Sequence, residues 1–182
     1  MIVLRNSVIS FIENPFINSG TYRVLDVVYE EKVIFLFPID NPGNSAKPKM
    51  LDLSDLNCLL EEKYVTQTPY QGPRELLLSD EELSSENKKI RDRNYALIQD
   101  LVEDPTFLIK FCSKPRSQIV ISHASNLNIN PLQVYRALRK YWEFGQIPNA
   151  LLNFTSLYGS RGKDKSASTK QRGRPINNVV VN

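Results

Sequence analysis

The stretch Asn130-Pro131-Leu132-Gln133-Val134-Tyr135-Arg136-Ala137-Leu138-Arg139-Lys140-Tyr141-Trp142-Glu143-Phe144-Gly145 decides how the second half of the chain is read. Asn130 suits a helix N-cap and Pro131 the first helical position, while Gly145 suits the end of the helix. Val134, Leu138 and Tyr141 recur at helical spacing and define an inward face. Gln133, Arg136 and Lys140 fall on another side, with Arg139 flanking them. Just upstream, residues 116–124 read as a helix with Ile119, Val120 and His123 on one side, followed by the turn Asn126-Leu127-Asn128-Ile129. Two short helices joined by a tight turn form a helix-turn-helix arrangement. Trp142 and Phe144 read as core residues.

That arrangement gives the polar face a chemistry. Arg can read guanine bidentately, Gln can read adenine and Lys can hold phosphate, with the Asn130 end entering the major groove first. Charged helix faces are often merely solvated. The turn, the cap and the local charge together favour DNA here. Residues 113–144 hold five Lys and Arg, including Lys114 and Arg116, against one acid.

The charge runs the other way upstream. Residues 1–112 hold 12 basic and 18 acidic residues, whereas residues 159–182 hold six basic and one acidic. The overall net of +3 conceals an acidic first part and a basic second part, and the latter implies a polyanionic partner. Within the terminal segment, Arg172-Gly173-Arg174-Pro175 can lie in an A·T-rich minor groove, or serve as a basic linker that tracks phosphates. Gly, Ser and Lys/Arg enrichment predicts that residues 159–175 are flexible before binding.

Residues 1–67 predict a mostly stranded module. Strands are expected in residues 1–12, 22–28, 32–37, 49–53 and 64–68, and a short helix with Ser54 as N-cap runs to about Glu62. Five short strands and one helix suggest a small, strongly bent sheet or partly open barrel. Residues 69–83 read as a link containing Pro69-Tyr70-Gln71-Gly72-Pro73. From Ser84, the recurrence of Ile90, Asn94, Leu97, Ile98, Leu101 and Val102 predicts one helix that stops at Asp104-Pro105, with a second short helix around Phe107, Leu108 and Phe111. The expected class is α+β: a barrel-like β-rich module over 1–68, a link over 69–83, an all-α helix-turn-helix domain over 84–152 and a flexible basic tail over 153–182.

Other classes are disfavoured. With 41% hydrophobic and 24% charged residues the composition is globular, and no run of 18 apolar residues predicts a membrane span. The first residues lack the pattern of a signal peptide. Cys58 and Cys112 cannot make a Cys-rich zinc site, and the single histidine, His123, excludes a multi-histidine metal cluster. Both cysteines are expected to be core thiols. Ser122 beside His123 lacks the acid and oxyanion site of a triad.

The segment from Tyr135 to Leu151 resembles the N-terminal DNA-binding region of TnsB-type transposases, the DDE transposases of heteromeric bacterial transposons, related to phage Mu transposase and retroviral integrases. The likeness lies in Tyr141-Trp142, Gly145-Gln146 and Pro148-Asn149-Ala150-Leu151, followed by a Gly-rich basic linker at 159–163 and 172–175. Tyr22-Arg23-Val24-Leu25 is similar to an early strand of that family. Asn153-Phe154 departs from its Pro-Asp-Tyr-like segment. The resemblance implies double-stranded DNA at transposon-end repeats as the partner, with other transposition subunits possible, and a bacterial cytoplasmic, nucleoid-associated location. It implies no small-molecule substrate and no membrane. In the family an RNase H-like catalytic domain follows the linker, so this chain alone is expected to be non-catalytic, with Mg needed only by that domain. The alternatives are a stand-alone transcription regulator or a protein-interaction module of a transposition complex.

Overall fold

The computed structural model describes residues 3–40, 42–113 and 117–154. Five strands, β1 (Val8–Phe11), β2 (Gly20–Val28), β3 (Val33–Pro38), β4 (Lys49–Asp52) and β5 (Val65–Gln67), form one antiparallel sheet in the order β4-β3-β2-β1-β5. The sheet is open, with β4 and β5 at its edges, and the class is mixed α+β.

Alternation along β3 shows why the sheet is covered on both sides. Ile34 and Leu36 point to one face, and Val33, Phe35 and Phe37 to the other, yet all five are buried. The first face packs under α1 (Leu53–Glu61) through Leu56 and Leu59, joined by Ile9, Phe11, Val24 and Val65. The second face packs on the helical layer, so strands and helices share one core. On β2 the pairing Val24↔Leu36 is followed by Asp26↔Phe35, leaving Leu25 as an extra residue. This bulge lets Leu25 and Val28 both join the helical side while Val27 returns to the α1 side.

The helical layer comprises α2 (Ser85–Ala96), α3 (Gln99–Val102), α4 (Phe107–Ser113), α5 (Ser117–Asn126) and α6 (Pro131–Glu143), with single 3-10 turns at Arg74–Leu77 and Pro148–Leu151. Trp142 of α6 is its centre, with ring centroids 5.5 Å from Phe111, 5.6 Å from Phe37 and 6.3 Å from Phe107. Leu83, Leu152 and Phe154 form a smaller cluster, where Phe144 meets Phe154 edge-on at 4.6 Å.

Three expectations are corrected. The predicted single helix from Ser84 to Asp104 is two helices. Ser84 does cap the first, its side chain accepting from Asn87 N, but the run breaks at Ile98 (φ −126°). The carbonyl of Leu97 is instead met by Nε2 of His123 at 2.9 Å, which satisfies the polar group the break releases. The helix expected to have Ser54 as its N-cap begins two residues earlier, with Asp52 in the cap position and no side-chain cap bond. Leu53 N bonds to the carbonyl of Lys32, so backbone from the turn between β2 and β3 holds the start of the helix. Cys58 is exposed, not a core thiol, because Leu56 and Leu59 define the inner side of α1.

Candidate nucleic-acid interface

The connection from α5 to α6 is closed by backbone bonds. Ile129 N reaches Ala124 O at 2.9 Å and Asn128 N reaches Ser125 O at 3.0 Å, while Asn128 takes φ 53°. These are the bonds of a Schellman end, with Asn in the left-handed position. Two residues later Asn130 accepts from Leu132 N at 2.9 Å and Pro131 opens α6. The end of α6 repeats the device, with Gly145 at φ 102° and Gln146 N on Tyr141 O.

Val134, Ala137, Leu138, Tyr141 and Trp142 are the buried residues of α6. Gln133 and Arg136 are exposed and Arg139 is half-buried. Among the described residues no carboxylate forms an ion pair with Arg136 or Arg139. Burial, and then the positive charge of Arg136, push the Arg139 guanidinium below its ordinary value. Two like charges thus lie one turn apart with no ion-pair partner among the described residues, although Glu143 lines the same pocket as both.

The other expected contact residues divide. Lys140 does not share the freedom of Arg136. Its Nζ donates to the carbonyl of Leu152 and lies over the Phe154 ring, 4.4 Å from the centroid. Desolvation lowers its pKa. Asn130 has its side-chain oxygen engaged in the cap. Lys114, Arg116, Arg172 and Arg174 lie outside the described residues.

Spacing alone does not reveal several polar residues that hold this surface in place. Gln146 donates through Nε2 to Leu25 O at 2.8 Å and Asn6 Oδ1 at 2.9 Å. Asn149 donates to Leu78 O at 2.8 Å and Leu76 O at 3.3 Å, and accepts from Arg91 Nη1 at 3.2 Å. Arg23, only 4% exposed, donates to Glu143 O and Asn6 O, stacks 4.3 Å from the Tyr70 ring centroid, and has Nη2 buried with no hydrogen-bond partner among the described residues. Burial lowers its pKa. The Gly-Gln and Pro-Asn-Ala-Leu segments therefore orient α6 against the sheet and the 74–78 segment.

Α2 runs beside α6. Arg93, Asn94 and Leu97 face Gln133, Arg136 and Ala137 across a groove of about 460 Å³ floored by Leu151. Among the described residues no group of three or more His, Cys, Asp or Glu could hold a metal ion, and no helix is long and apolar enough to cross a membrane.

Comparison with known proteins agrees with the resemblance carried by Tyr135 to Leu151. Residues 91–153 match the family model described as the TnsB second domain. This span runs from within α2 past the 3-10 turn at Pro148–Leu151. Over 171 residues the chain is 28% identical to the Transposon Tn7 transposition protein TnsB of Escherichia coli. The alignment covers 93% of this chain and 22% of that protein, so the chain spans about a fifth of the length of the curated relative it matches. The similarity to that protein thus extends over nearly the whole length of this chain.

Proposed function

We propose that the chain binds duplex DNA at transposon ends as the N-terminal part of a TnsB-type transposase. In this reading α5 and α6 act as a helix-turn-helix. Gln133 meets base edges, while Arg136 and Arg139 meet backbone phosphate. Lys114 and Arg116 add phosphate contacts, and Arg172 and Arg174 follow the backbone or enter the minor groove. Asn130 sets the start of the helix, and Lys140 supplies positive potential from an anchored position. The observation that carries the reading is the pair Arg136 and Arg139, without an ion-pair partner among the described residues, on the outer side of a helix that is capped, packed and fixed at both ends. The match of residues 91–153 to the TnsB second domain, and the transposition protein among its relatives, support it.

Cleavage and joining of DNA are assigned to a catalytic domain of the parent transposase, with Mg required there and not by this part. The work is set in the bacterial cytoplasm, on the nucleoid. The acidic first 112 residues favour a second role for the sheet module, contact with other transposition subunits.

Gel-shift titration of the chain on duplexes carrying the element's terminal repeats tests this. Arg136→Ala with Arg139→Ala is expected to weaken binding at least about tenfold, with circular dichroism unchanged. Equal affinity of variant and parent overturns the reading. Tighter binding to a promoter operator than to the ends turns it into that of a transcription regulator.

A further inference from the structure

The groove between α2 and α6 has the chemistry of a backbone seat. Its two walls carry cations, Arg93 on one and Arg136 on the other, and among the described residues no carboxylate lines it. Its floor is apolar, made by Leu97, Ala137 and Leu151. The contrast within α2 is informative. Arg91 is tied to Asp80 and Asp92, whereas Arg93, two residues on, is exposed and makes no ion pair with a described residue. Lys89 lies one turn before Arg93 on the same row of the helix and is also exposed, so the positive track continues beyond the groove.

The groove is also preformed. Asn94 Nδ2 donates to Leu151 O at 3.2 Å, and the carbonyl of Leu97 is held by His123, which ties α2 to the 3-10 turn and to α5. Lys140 also lines the space, with its ammonium held by Leu152 O. A divalent cation finds no oxyanion ligand here, and a purely apolar ligand would strip water from two guanidinium groups. A phosphate with its sugar satisfies both parts of the lining.

We propose that the groove between α2 and α6 seats the sugar-phosphate backbone of the DNA strand bordering the major groove that α6 enters. Arg93 and Arg136 hold phosphate from opposite walls, and the apolar floor lies against deoxyribose. Lys89 takes the next phosphate along. This assignment rests on the reading of α6 as the DNA-facing helix and adds a second helix to the contact. The seat fixes register on the duplex and is indifferent to sequence.

Fluorescence anisotropy on an end-repeat duplex and on a scrambled duplex, across a series of salt concentrations, tests it. Arg93→Ala with Lys89→Ala is expected to weaken binding to both duplexes by about tenfold. The ratio of the two affinities should stay constant, and the slope of log affinity against log salt should become shallower by about two. Unchanged affinity and slope, with Arg136→Ala/Arg139→Ala still defective, overturns the groove assignment and leaves the α6 reading standing. If both double variants bind like the parent, both fall. A changed ratio between duplexes overturns the backbone assignment, because it makes Arg93 a reader of bases. Arg93→Lys, which keeps the charge, is expected to restore most of the slope, which a merely structural role of Arg93 would not do.

Discussion

Arg23 on β2 donates from Nε to the backbone carbonyl of Glu143 at the end of α6, at 3.0 Å and across 120 positions of sequence. The same guanidinium reaches Asn6 O at 3.1 Å. A cation at the C-terminus of a helix meets carbonyls that have no partner within it, and favours the negative end of the helix dipole. Removing Arg23 leaves two part-buried carbonyls without this donor. Arg23→Met is expected to destabilise the chain by about 3 kcal/mol in urea denaturation. Arg23→Lys recovers only part of this, since an ammonium lacks the fork that spans the two carbonyls. A midpoint shift near zero for Arg23→Met would show the bonds to be incidental.

Asn149 reaches two carbonyls of the 74–78 segment with one amide. Asn149→Ala is expected to cost about 2 kcal/mol. It should also release that segment locally before the core yields. Limited proteolysis reads this as faster cleavage within residues 69–83 at an unchanged rate elsewhere. Uniform acceleration over the whole chain would contradict the local role.

Lys140 separates packing from charge. Its stem is half-buried and its ammonium is desolvated. Lys140→Met keeps the stem, and is expected to alter stability by less than about 1 kcal/mol, whereas Lys140→Ala costs about 1–2 kcal/mol through lost packing. The folded pKa is lowered, so deprotonation favours the fold. That contribution is fully present above the unfolded lysine pKa of about 10.4, and is lost as pH falls through the lower folded value. The stability difference between parent and Lys140→Met should therefore shift in favour of the parent as pH rises toward that range. A flat difference would argue that Lys140 is solvated.

Asp104 accepts from the amide and hydroxyl of Thr106 and from Lys110, which hold its carboxyl at about 2 instead of 3.8. The folded value lies below the unfolded one. The stabilisation is therefore present above about 3.8 and lost as pH falls toward 2. Asp104→Asn removes this dependence. Urea midpoints at pH 5 and pH 2.5 should differ less in the variant than in the parent, and equal differences would refute the assignment.

The parts of the fold that were legible in the sequence are those set by local chemistry. Asn130-Pro131 and Gly145 mark the two ends of α6, and its inward face follows from spacing. β2 and β3 follow from their runs of branched and aromatic residues. What was not legible depends on segments that meet only in three dimensions. The break at Leu97-Ile98 leaves no proline or glycine as a sign, and its carbonyl is satisfied by His123, 26 positions away. Lys140 shares a helical row with Gln133, yet the chain after Gly145 folds back and presents Leu152 and Phe154 to it. Gln146 and Asn149 stood in the segments that carried the family resemblance, but nothing in their spacing says that their amides bond to Leu25 and to Leu76 and Leu78. For Arg93 a signal did exist, the spacing of four from Lys89, which reads equally well as ordinary surface charge.

Arg23 and Gln146 clamp the end of α6 to the sheet, so a helix seated on a duplex leaves the sheet little freedom to turn. Its bearing around the DNA axis is then dictated by where along the duplex the helix lands. Copies on successive repeats would point their sheets at angles set by the number of base pairs between sites, with one full revolution for every 10–10.5 of them. Repeat spacing would in this way become a statement about direction, deciding which copies can reach a common partner and which face away from it.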